Sequence, residues 1–206
     1  MTTPIHDTDP ADPAGALAAI DDAQHRTARA LTPSPLGMFL PWGLGYLVGF
    51  GGVWLAIRGV LPEGVVPVLL VLAALVPVVS TGITLRRSGR GVSGPSRRVS
   101  ALFGWAWVLG FAALFAIDVE IGSLGVPVET LSLLWSGSAL LVVGVLYLAS
   151  GALWNHLPQY VLGVWTLVCA VACVFAGYPT NFLVLALAGG GGFVVLGLWM
   201  HLRARR

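Results

Sequence analysis

Six long apolar runs constrain the fold of this chain more than any other feature. Each holds 20 to 22 residues, at about 37–58, 64–85, 100–121, 130–150, 158–177 and 181–202. About 20 apolar residues in a helix cross the ~30 Å hydrocarbon core of a bilayer, and a span in lipid must satisfy its own backbone hydrogen bonds. Membrane β-strands would instead show ten-residue alternating segments, which the sequence lacks. The sequence therefore predicts an all-α, polytopic transmembrane bundle of six helices.

Composition agrees with a membrane protein and argues against a soluble one. Of 206 residues, 57% are apolar and 10% charged, against roughly 25% charged residues in soluble domains. The mean hydropathy of +0.87 leaves too little polar surface to cover a water-soluble globule. We predict two parts: a cytoplasmic N-terminal segment with one helix over residues 1–36, and a transmembrane domain over residues 37–206.

The placement of arginine predicts the orientation of the six spans. The chain has eleven arginines and no lysine, and cytoplasmic loops of membrane proteins carry the excess of basic residues. Ten arginines would share one side if both termini were cytoplasmic: Arg26, Arg29, Arg86, Arg87, Arg90, Arg97, Arg98, Arg203, Arg205 and Arg206. We therefore expect a multi-pass protein of the cell membrane with both termini in the cytoplasm.

The N-terminal segment contains a pattern typical of a juxtamembrane amphipathic helix. Asp12 and Pro13 suit the N-cap and the first helical position. Apolar residues then recur at helical spacing from Leu17 to Leu31, opposite Arg26 and Arg29. We expect this helix to lie at the inner interface, where the two arginines favour an anionic leaflet; a solvated tail is the alternative.

Small residues predict where the spans pack on one another, because close approach drives helix association in lipid. The first span has Gly45, Gly49 and Gly52, and the third has Ala106, Gly110 and Ala113. The fifth has the longest series, which comprises Gly163, Thr166, Ala170, Cys173 and Gly177. Pro77 should bend the second span, since it removes the hydrogen bond to the Ala73 carbonyl.

Four consecutive glycines interrupt the sixth span. In a helix each disfavours the structure by about 0.8–1 kcal/mol relative to alanine. Gly189, Gly190, Gly191 and Gly192 therefore predict a tight crossing, a kink, or an unwound turn that lines a cavity. Of these, close packing is the favoured interpretation, and the unwound turn is the one that would serve transport.

Charged residues are absent from the centres of the predicted spans. Asp118 comes nearest, about one turn from the outer end of the third span, and Glu120, Glu129, Glu63 and Arg58 share that side. Asp118 and Arg58 could form an exposed ion pair at this outer rim, where such pairs contribute little. Because buried ionisable groups mark ion pathways in membranes, their absence disfavours a proton-coupled antiporter.

Motifs for catalysis or metal binding are weak. Gly91-Val92-Ser93-Gly94 matches the GxSG of rhomboid proteases, but it lies in a polar, arginine-rich loop rather than at the start of a membrane helix. Cys169 and Cys173 share a helix face without a histidine or carboxylate to complete a metal site. We therefore expect no enzyme activity, no cofactor, no metal and no nucleic-acid partner.

The segment between the second and third spans is the most basic part of the chain. Its sequence, RRSGRGVSGPSRR, is rich in Gly and Ser and predicts a flexible loop. Arg86, Arg87, Arg90, Arg97 and Arg98 could contact anionic lipid headgroups or an acidic partner. The simpler interpretation, which we favour, is that they fix the orientation of the protein.

The chain resembles the small, uncharacterised six-span integral membrane proteins of high-GC bacteria. The resemblance rests on the N-terminal ALAAIDDAQHRTARAL, the short hairpins and the lysine-free basic loop. The chain is also similar to the six-span permease subunit of ABC-2-type exporters, which has an amphipathic helix before its first span. Only Tyr178-Pro179-Thr180 separates the last two spans here, however, where those permeases carry a longer re-entrant element.

Two functional hypotheses follow from these patterns. The first is an accessory or regulatory membrane subunit that acts through helix packing and the Arg-rich loop, as a homo-oligomer or with another membrane subunit. The second is a small-molecule permease, or a permease subunit of an ABC-2-like exporter, that uses the break at Gly189–Gly192. Small-residue series without central charge favour the first.

Overall fold

The structure, a computed structural model, describes residues 15, 17, 34–88 and 95–204, and within these residues it is helical with no strand. The helices are α1 (Pro35–Ile57), α2 (Val66–Ser88), α3 (Pro95–Ser123), α4 (Val128–Leu153), α5 (Leu157–Ala176), α6 (Thr180–Val184) and α7 (Gly191–Ala204). A 3-10 turn, Glu63–Val65, precedes α2, and a π-helical turn, Leu185–Gly190, joins α6 to α7. We call the continuous unit from α6 to α7 the last span. Among these described residues, six helical spans are long and apolar enough to cross a membrane, as predicted.

The helix boundaries differ from the predicted spans mainly at α3. The sequence predicts a start near residue 100, whereas α3 begins at Pro95. Proline suits the first helical position because its φ is already helical and its missing N–H needs no partner there. Only residues 89–94 therefore separate α2 from α3, and the predicted flexible loop over 86–98 is wrong at both ends.

The packing order differs from the chain order. α1 contacts α2 and the last span, α4 packs along α5, and α5 contacts the last span. α3 packs on α4. The result is a centre of α1, α4, α5 and the last span, with α2 and α3 at its periphery.

Glycines bring α4 and α5 into backbone contact. A Cβ atom at Gly163 would lie 2.6 Å from the Leu148 nitrogen and 2.9 Å from the Gly144 carbonyl oxygen. At Gly151 a Cβ would lie 2.6 Å from the Tyr160 nitrogen. Any larger residue would force these helices apart, which confirms the packing role predicted for the fifth span. The Gly163, Thr166, Ala170 and Cys173 positions are all buried, whereas Gly177 follows the helix with φ 72°.

The α1–α2 contact depends on a proline and a glycine that face one another. Pro77 lies inside α2 and cannot donate to the Ala73 carbonyl. A Cβ at Gly45 of α1 would lie 2.5 Å from that same carbonyl oxygen. The freed carbonyl therefore points at a glycine Cα, the geometry of a weak Cα–H···O contact. Gly49 and Gly52 continue this seam against Ala73 and Leu69, as predicted from their spacing.

Aromatic side chains fill the centre of the bundle. Phe39 of α1, Tyr147 of α4 and Phe193 of α7 are buried and pack with ring centroids 5.7–6.5 Å apart. A second buried cluster contains Leu140, Cys169, Ala170, Cys173 and Leu185. The core therefore joins α1 to three consecutive elements that are distant from it in sequence, α4, α5 and the last span.

The small residues predicted to pack α3 do not lie at its interface. Ala106 and Ala113 are exposed, and a Cβ at Gly110 would meet only Val142, at 3.4 Å. α3 instead contacts α4 through Trp107, Leu114 and Asp118. The prediction for this helix was wrong, because its sequence is apolar on all sides and does not define which side faces α4.

The predicted N-terminal helix falls almost entirely outside the described residues. Gly15 and Leu17 are helical, and Leu17 is exposed. α1 itself begins at Pro35 after Ser34, whose hydroxyl accepts from the Gly37 N–H at 3.4 Å. The start of the first span is thus capped as a helix N-terminus normally is.

Candidate functional site

A polar cluster lies among the apolar helices near the start of α6. Asn181 is fully buried, and its Nδ2 donates to the hydroxyls of Ser136, at 3.0 Å, and Ser132, at 3.1 Å. Its backbone carbonyl accepts from the Cys173 thiol, with a sulfur–oxygen distance of 3.3 Å. We call these four residues the Asn181 cluster. It ties α4, α5 and the last span together at one end of the bundle.

The Asn181 cluster is not fully satisfied. The Ser136 hydroxyl donates to the Ser132 carbonyl at 2.7 Å, so it uses its own proton within α4. The oxygen end of the Asn181 amide is buried without a hydrogen-bond partner in the described residues. A buried polar group without a partner costs about 1–3 kcal/mol. A buried group of this kind calls for an explanation, such as local strain or a functional role.

A cavity of about 360 Å³ lies beside the Asn181 cluster, between α1, α4 and the last span. Four aromatic residues line it, together with Ser132 and Ser136: Tyr46, Phe50, Trp135 and Phe182. Tyr46 meets Phe50 edge-on at 5.2 Å, and Phe50 stacks on Phe182 at 6.4 Å. The cavity therefore has largely apolar, aromatic-rich walls and two serine hydroxyls from one face of α4. Volumes of 300–1,000 Å³ are usual for small-molecule sites.

The glycine run at the last span is helical. Gly189 and Gly190 complete the π-helical turn, and Gly191 and Gly192 begin α7. A Cβ at Gly190 would lie 2.8 Å from the Gly43 carbonyl oxygen of α1, so this crossing requires glycine. The structure thus supports the favoured interpretation, a tight crossing. It contains no unwound turn at these residues.

Trp165 of α5 supports the π-helical turn from the other side. Its Nε1 donates to the Ala188 carbonyl at 2.9 Å, and a Cβ at Gly192 would lie 2.6 Å from its ring. π-Helical turns disturb the regular i→i−4 hydrogen bonds and occur often at functional sites. Leu185, the first residue of the turn, lines the cavity. The irregular turn therefore adjoins the candidate site, although the glycines themselves serve packing.

Asp118 does not lie at an exposed rim, and the predicted pair with Arg58 is wrong. Asp118 is 2% exposed and its Oδ2 lies 3.0 Å from the Ser138 hydroxyl of α4. That hydroxyl also lies 2.6 Å from the Leu134 carbonyl oxygen. The Arg58 guanidinium instead lies 5.3 Å from the centroid of the Trp54 ring. The side chain of Asp118 therefore links α3 to α4.

The arginines of the basic segment lie at helix ends. Arg86 belongs to the last turn of α2 and Arg98 to the start of α3, and both are exposed. Arg90 and the side chains of Arg87 and Arg97 lie outside the described residues. Cations at a helix N-terminus oppose the helix dipole, so local helix stability does not explain Arg98. At the end of α7, the Arg203 guanidinium lies 4.3 Å from the Trp199 ring centroid.

The cysteines pack as small apolar residues. Cys169 and Cys173 are both buried and unoxidised. Within the described residues, no three His, Cys, Asp or Glu side chains come together as a metal site. Cys173 also donates its thiol proton to the Asn181 carbonyl, a polar contact that the spacing of the two cysteines did not predict.

Sequence reasoning missed Asn181 and the cavity. The signal was an asparagine just inside an apolar run, together with two serines four residues apart in the fourth span, since polar residues in spans bond across helices. No protein-family model, curated protein or solved structure matches this chain.

Proposed function

We propose that this chain is a multi-pass protein of the cell membrane, with both termini cytoplasmic, that acts as an accessory or regulatory subunit. It does so by packing α3 against a helix of another subunit or of a second copy. The observation that carries this proposal is a small-residue face of α3, formed by the exposed Ala106 and Ala113 and the half-buried Gly110 between them.

The small-residue face lies beside the stripe of α3 that contacts α4. Its members recur at spacings of four and three, so they fall on one side of the helix. Alanine and glycine leave the backbone accessible, and such faces let two helices approach closely in lipid. Ala112 and Ala116 are exposed as well and widen the small-residue surface around Ala113. A second helix could therefore pack next to α4 without displacing it.

The outward surface of α2 supports this assignment by contrast. Most of its exposed residues are large and branched, among them Val68, Val71, Leu72, Leu75, Val76, Val78 and Val79. Side chains of this kind cover the backbone and suit contact with lipid. A lipid-facing role explains α2 but not the bare stripe of α3.

Purification in mild detergent tests the proposal. The wild-type chain should elute with a mass above that of one chain, as a homo-oligomer or with a co-purifying membrane subunit. Ala113→Leu should reduce the assembled fraction about tenfold, since overpacking a close contact costs about 1–3 kcal/mol. Ala74→Leu is the matched control, because Ala74 is an exposed alanine of α2.

Two results would contradict the proposal. One is a wild-type chain that elutes alone after extraction under several mild conditions. The other is an assembled fraction that Ala113→Leu leaves unchanged. A thermal unfolding curve of each variant in detergent separates a lost partner from a lost fold.

The proposed orientation rests on the arginines. Replacing Arg86, Arg87, Arg90, Arg97 and Arg98 by glutamine removes half of the basic residues assigned to the cytoplasmic side. Reporter fusions at the C-terminus should then show mixed orientation. If orientation persists while association with anionic vesicles falls, the segment serves lipid contact rather than topology.

A small-molecule permease is the second candidate, and the cavity beside the π-helical turn is the observation in its favour. Gly190→Leu is a poor test, because the tight contact with Gly43 would disrupt the fold. Gly191→Leu alters the glycine run without disturbing its packing, since nothing lies within 4 Å of a Cβ at that position. Flux that depends on Tyr46 and Trp135 but tolerates Gly191→Leu would support a permease whose path follows the cavity.

A further inference from the structure

We propose that the cavity between α1, α4 and the last span binds one acyl chain of a bilayer lipid, whose ester carbonyl accepts a hydrogen bond from Ser132. This inference rests on the cavity and the Asn181 cluster. It does not require the proposed assembly through α3, although α3 contacts two lining residues of the cavity, Trp135 through Phe115 and Leu131 beside Gly122.

The length of the cavity suits one leaflet. Along α4 its lining runs from Val128, the first residue of the helix, to Leu140. At 1.5 Å per residue this distance is about 18 Å, and half of a ~30 Å hydrocarbon core is about 15 Å. A chain that enters at the start of α4 would therefore end near the middle of the bilayer.

The walls of the cavity suit an uncharged hydrocarbon. Its lining contains no charged residue, and Tyr46, Phe50, Trp135 and Phe182 supply most of the bulk. A charged ligand would have no counter-charge here, and a buried charge without one is strongly disfavoured. Asp118 does not serve as one, because its side chain contacts Ser138, which is absent from the lining.

The hydroxyl of Ser132 gives the cavity one polar end. Ser132 is four residues into a 26-residue helix, about 12 Å from its middle, which places it within about 3 Å of the edge of a ~30 Å hydrocarbon core. Its oxygen accepts from Asn181 Nδ2, which leaves the hydroxyl proton for a molecule in the cavity. Ser136 cannot offer the same, because its proton is donated to the Ser132 carbonyl.

The Asn181 cluster holds this donor in place. The Asn181 amide contacts both serine hydroxyls, and Asn181 is completely buried between α4, α5 and the last span. A packed polar group that orients a ligand-binding hydroxyl is a more economical explanation of a buried asparagine than helix pairing alone. Ser132 would bind the carbonyl, and Asn181 would act as a positioning residue.

Lipid retention measures occupancy of the cavity. After extensive detergent exchange, the wild-type chain should retain about one diacyl lipid, as mass spectrometry of the extracted sample would measure. Ala139→Phe fills the cavity and should lower retention about tenfold. Ala152→Phe is the control, since Ala152 is an exposed alanine of α4 away from the cavity.

A second measurement tests the carbonyl contact and the location together. Phospholipid with brominated chains should quench Trp135 fluorescence, taken as the difference between the wild type and Trp135→Phe. The ester-linked lipid should bind about fivefold more tightly than its ether-linked analogue, the factor for a hydrogen bond of about 1 kcal/mol. Ser132→Ala should abolish that preference, and Ser138→Ala should leave it unchanged.

The outcomes separate the lipid from other occupants. Equal lipid retention by Ala139→Phe and the wild type would overturn the proposal, as would an ester preference that survives Ser132→Ala. Retention of a different uncharged hydrophobic compound in place of lipid would overturn the acyl-chain assignment. Loss of lipid in Ala152→Phe as well would show that retention reports the whole surface and not the cavity.

Discussion

The helices α2 and α3 are equally peripheral, yet they are attached to the bundle by different means. In each, only 6% of the most apolar stretch is buried, against 22–33% in the other candidate spans. α2 packs closely on three glycines of α1: Gly45 faces the Ala73 carbonyl, and Gly49 and Gly52 face the side chains of Ala73 and Leu69. α3 contacts α4 mainly through side chains and not through close approach of the two backbones.

Polar and aromatic contacts sharpen this difference. α2 is fixed at its arginine-bearing half by two short bonds, from Ser80 to the Gly37 carbonyl at 2.7 Å and from Trp42 to Thr81 at 2.9 Å. α3 has the Asp118–Ser138 contact and three ring pairs: Phe103–Trp154, Trp107–Tyr147 and Phe115–Trp135. Side-chain attachment leaves the α3 backbone accessible to another helix, whereas the small-residue contact of α2 is already occupied by α1.

Glycine substitutions at the α1–α2 and α3–α4 contacts should show the largest difference in the free energy of unfolding. Gly45→Ala would place a Cβ 2.5 Å from a backbone oxygen and should lower the free energy of unfolding by about 1–3 kcal/mol. Gly110→Ala in α3 meets an ordinary contact at 3.4 Å and should be neutral or slightly stabilising. Unfolding by SDS in mixed micelles measures both.

Equal losses at the two positions would remove the distinction between the helices. A large loss at Gly110 alone would reverse it, and would mean that α3 lies closer to α4 than the structure has it.

A smaller effect is expected at the polar contact of α3. Asp118→Leu removes the bond to Ser138 and should destabilise the attachment of α3 by about 1 kcal/mol, the size usual for bonds between membrane helices. Asp118→Asn keeps an acceptor for the Ser138 hydroxyl and should therefore retain most of the stability that Asp118→Leu loses. Ser80→Ala provides the corresponding loss on α2, and the same SDS titration measures all three.

If Asp118→Asn is as unstable as Asp118→Leu, the carboxyl group does more than accept a hydrogen bond. If neither variant changes stability, the ring pairs alone hold α3 in place.

The smallest effect is expected at glycines that touch nothing. Gly82 of α2 and Gly104 of α3 each have no neighbour within 4 Å of a Cβ. Alanine at either position should stabilise the chain by up to about 0.8 kcal/mol through helix propensity. A loss at Gly104 that appears only in the assembled form would place that residue in the partner interface as well.

The number and approximate positions of the spans could be predicted because they depend on local apolar content, whereas the 29-residue length of α3 could not. The seams of α1 and α5 could be predicted too, since Gly45 and Gly163 belong to regular small-residue series. The same reasoning failed for Ala106 and Ala113. Spacing indicates that a face can pack, but it does not tell which neighbour lies there.

Other features depend on contacts between distant segments. The burial of Asp118 follows from the rotation of α3 about its axis, which an all-round apolar sequence does not define. The Asn181 cluster requires the Tyr178–Thr180 connection to bring α6 against Ser132 and Ser136. The cavity requires α1, α4 and the last span together, so no single motif encodes it.

The most direct test of the central claim is photo-crosslinking in intact membranes. A small diazirine-bearing amino acid would be placed at position 106 or 113 of α3 and, separately, at position 74 or 78 of α2. We expect a protein adduct of defined mass from the α3 positions and no protein adduct from the α2 positions. Protein adducts from both helices alike, or from α2 alone, would contradict that claim.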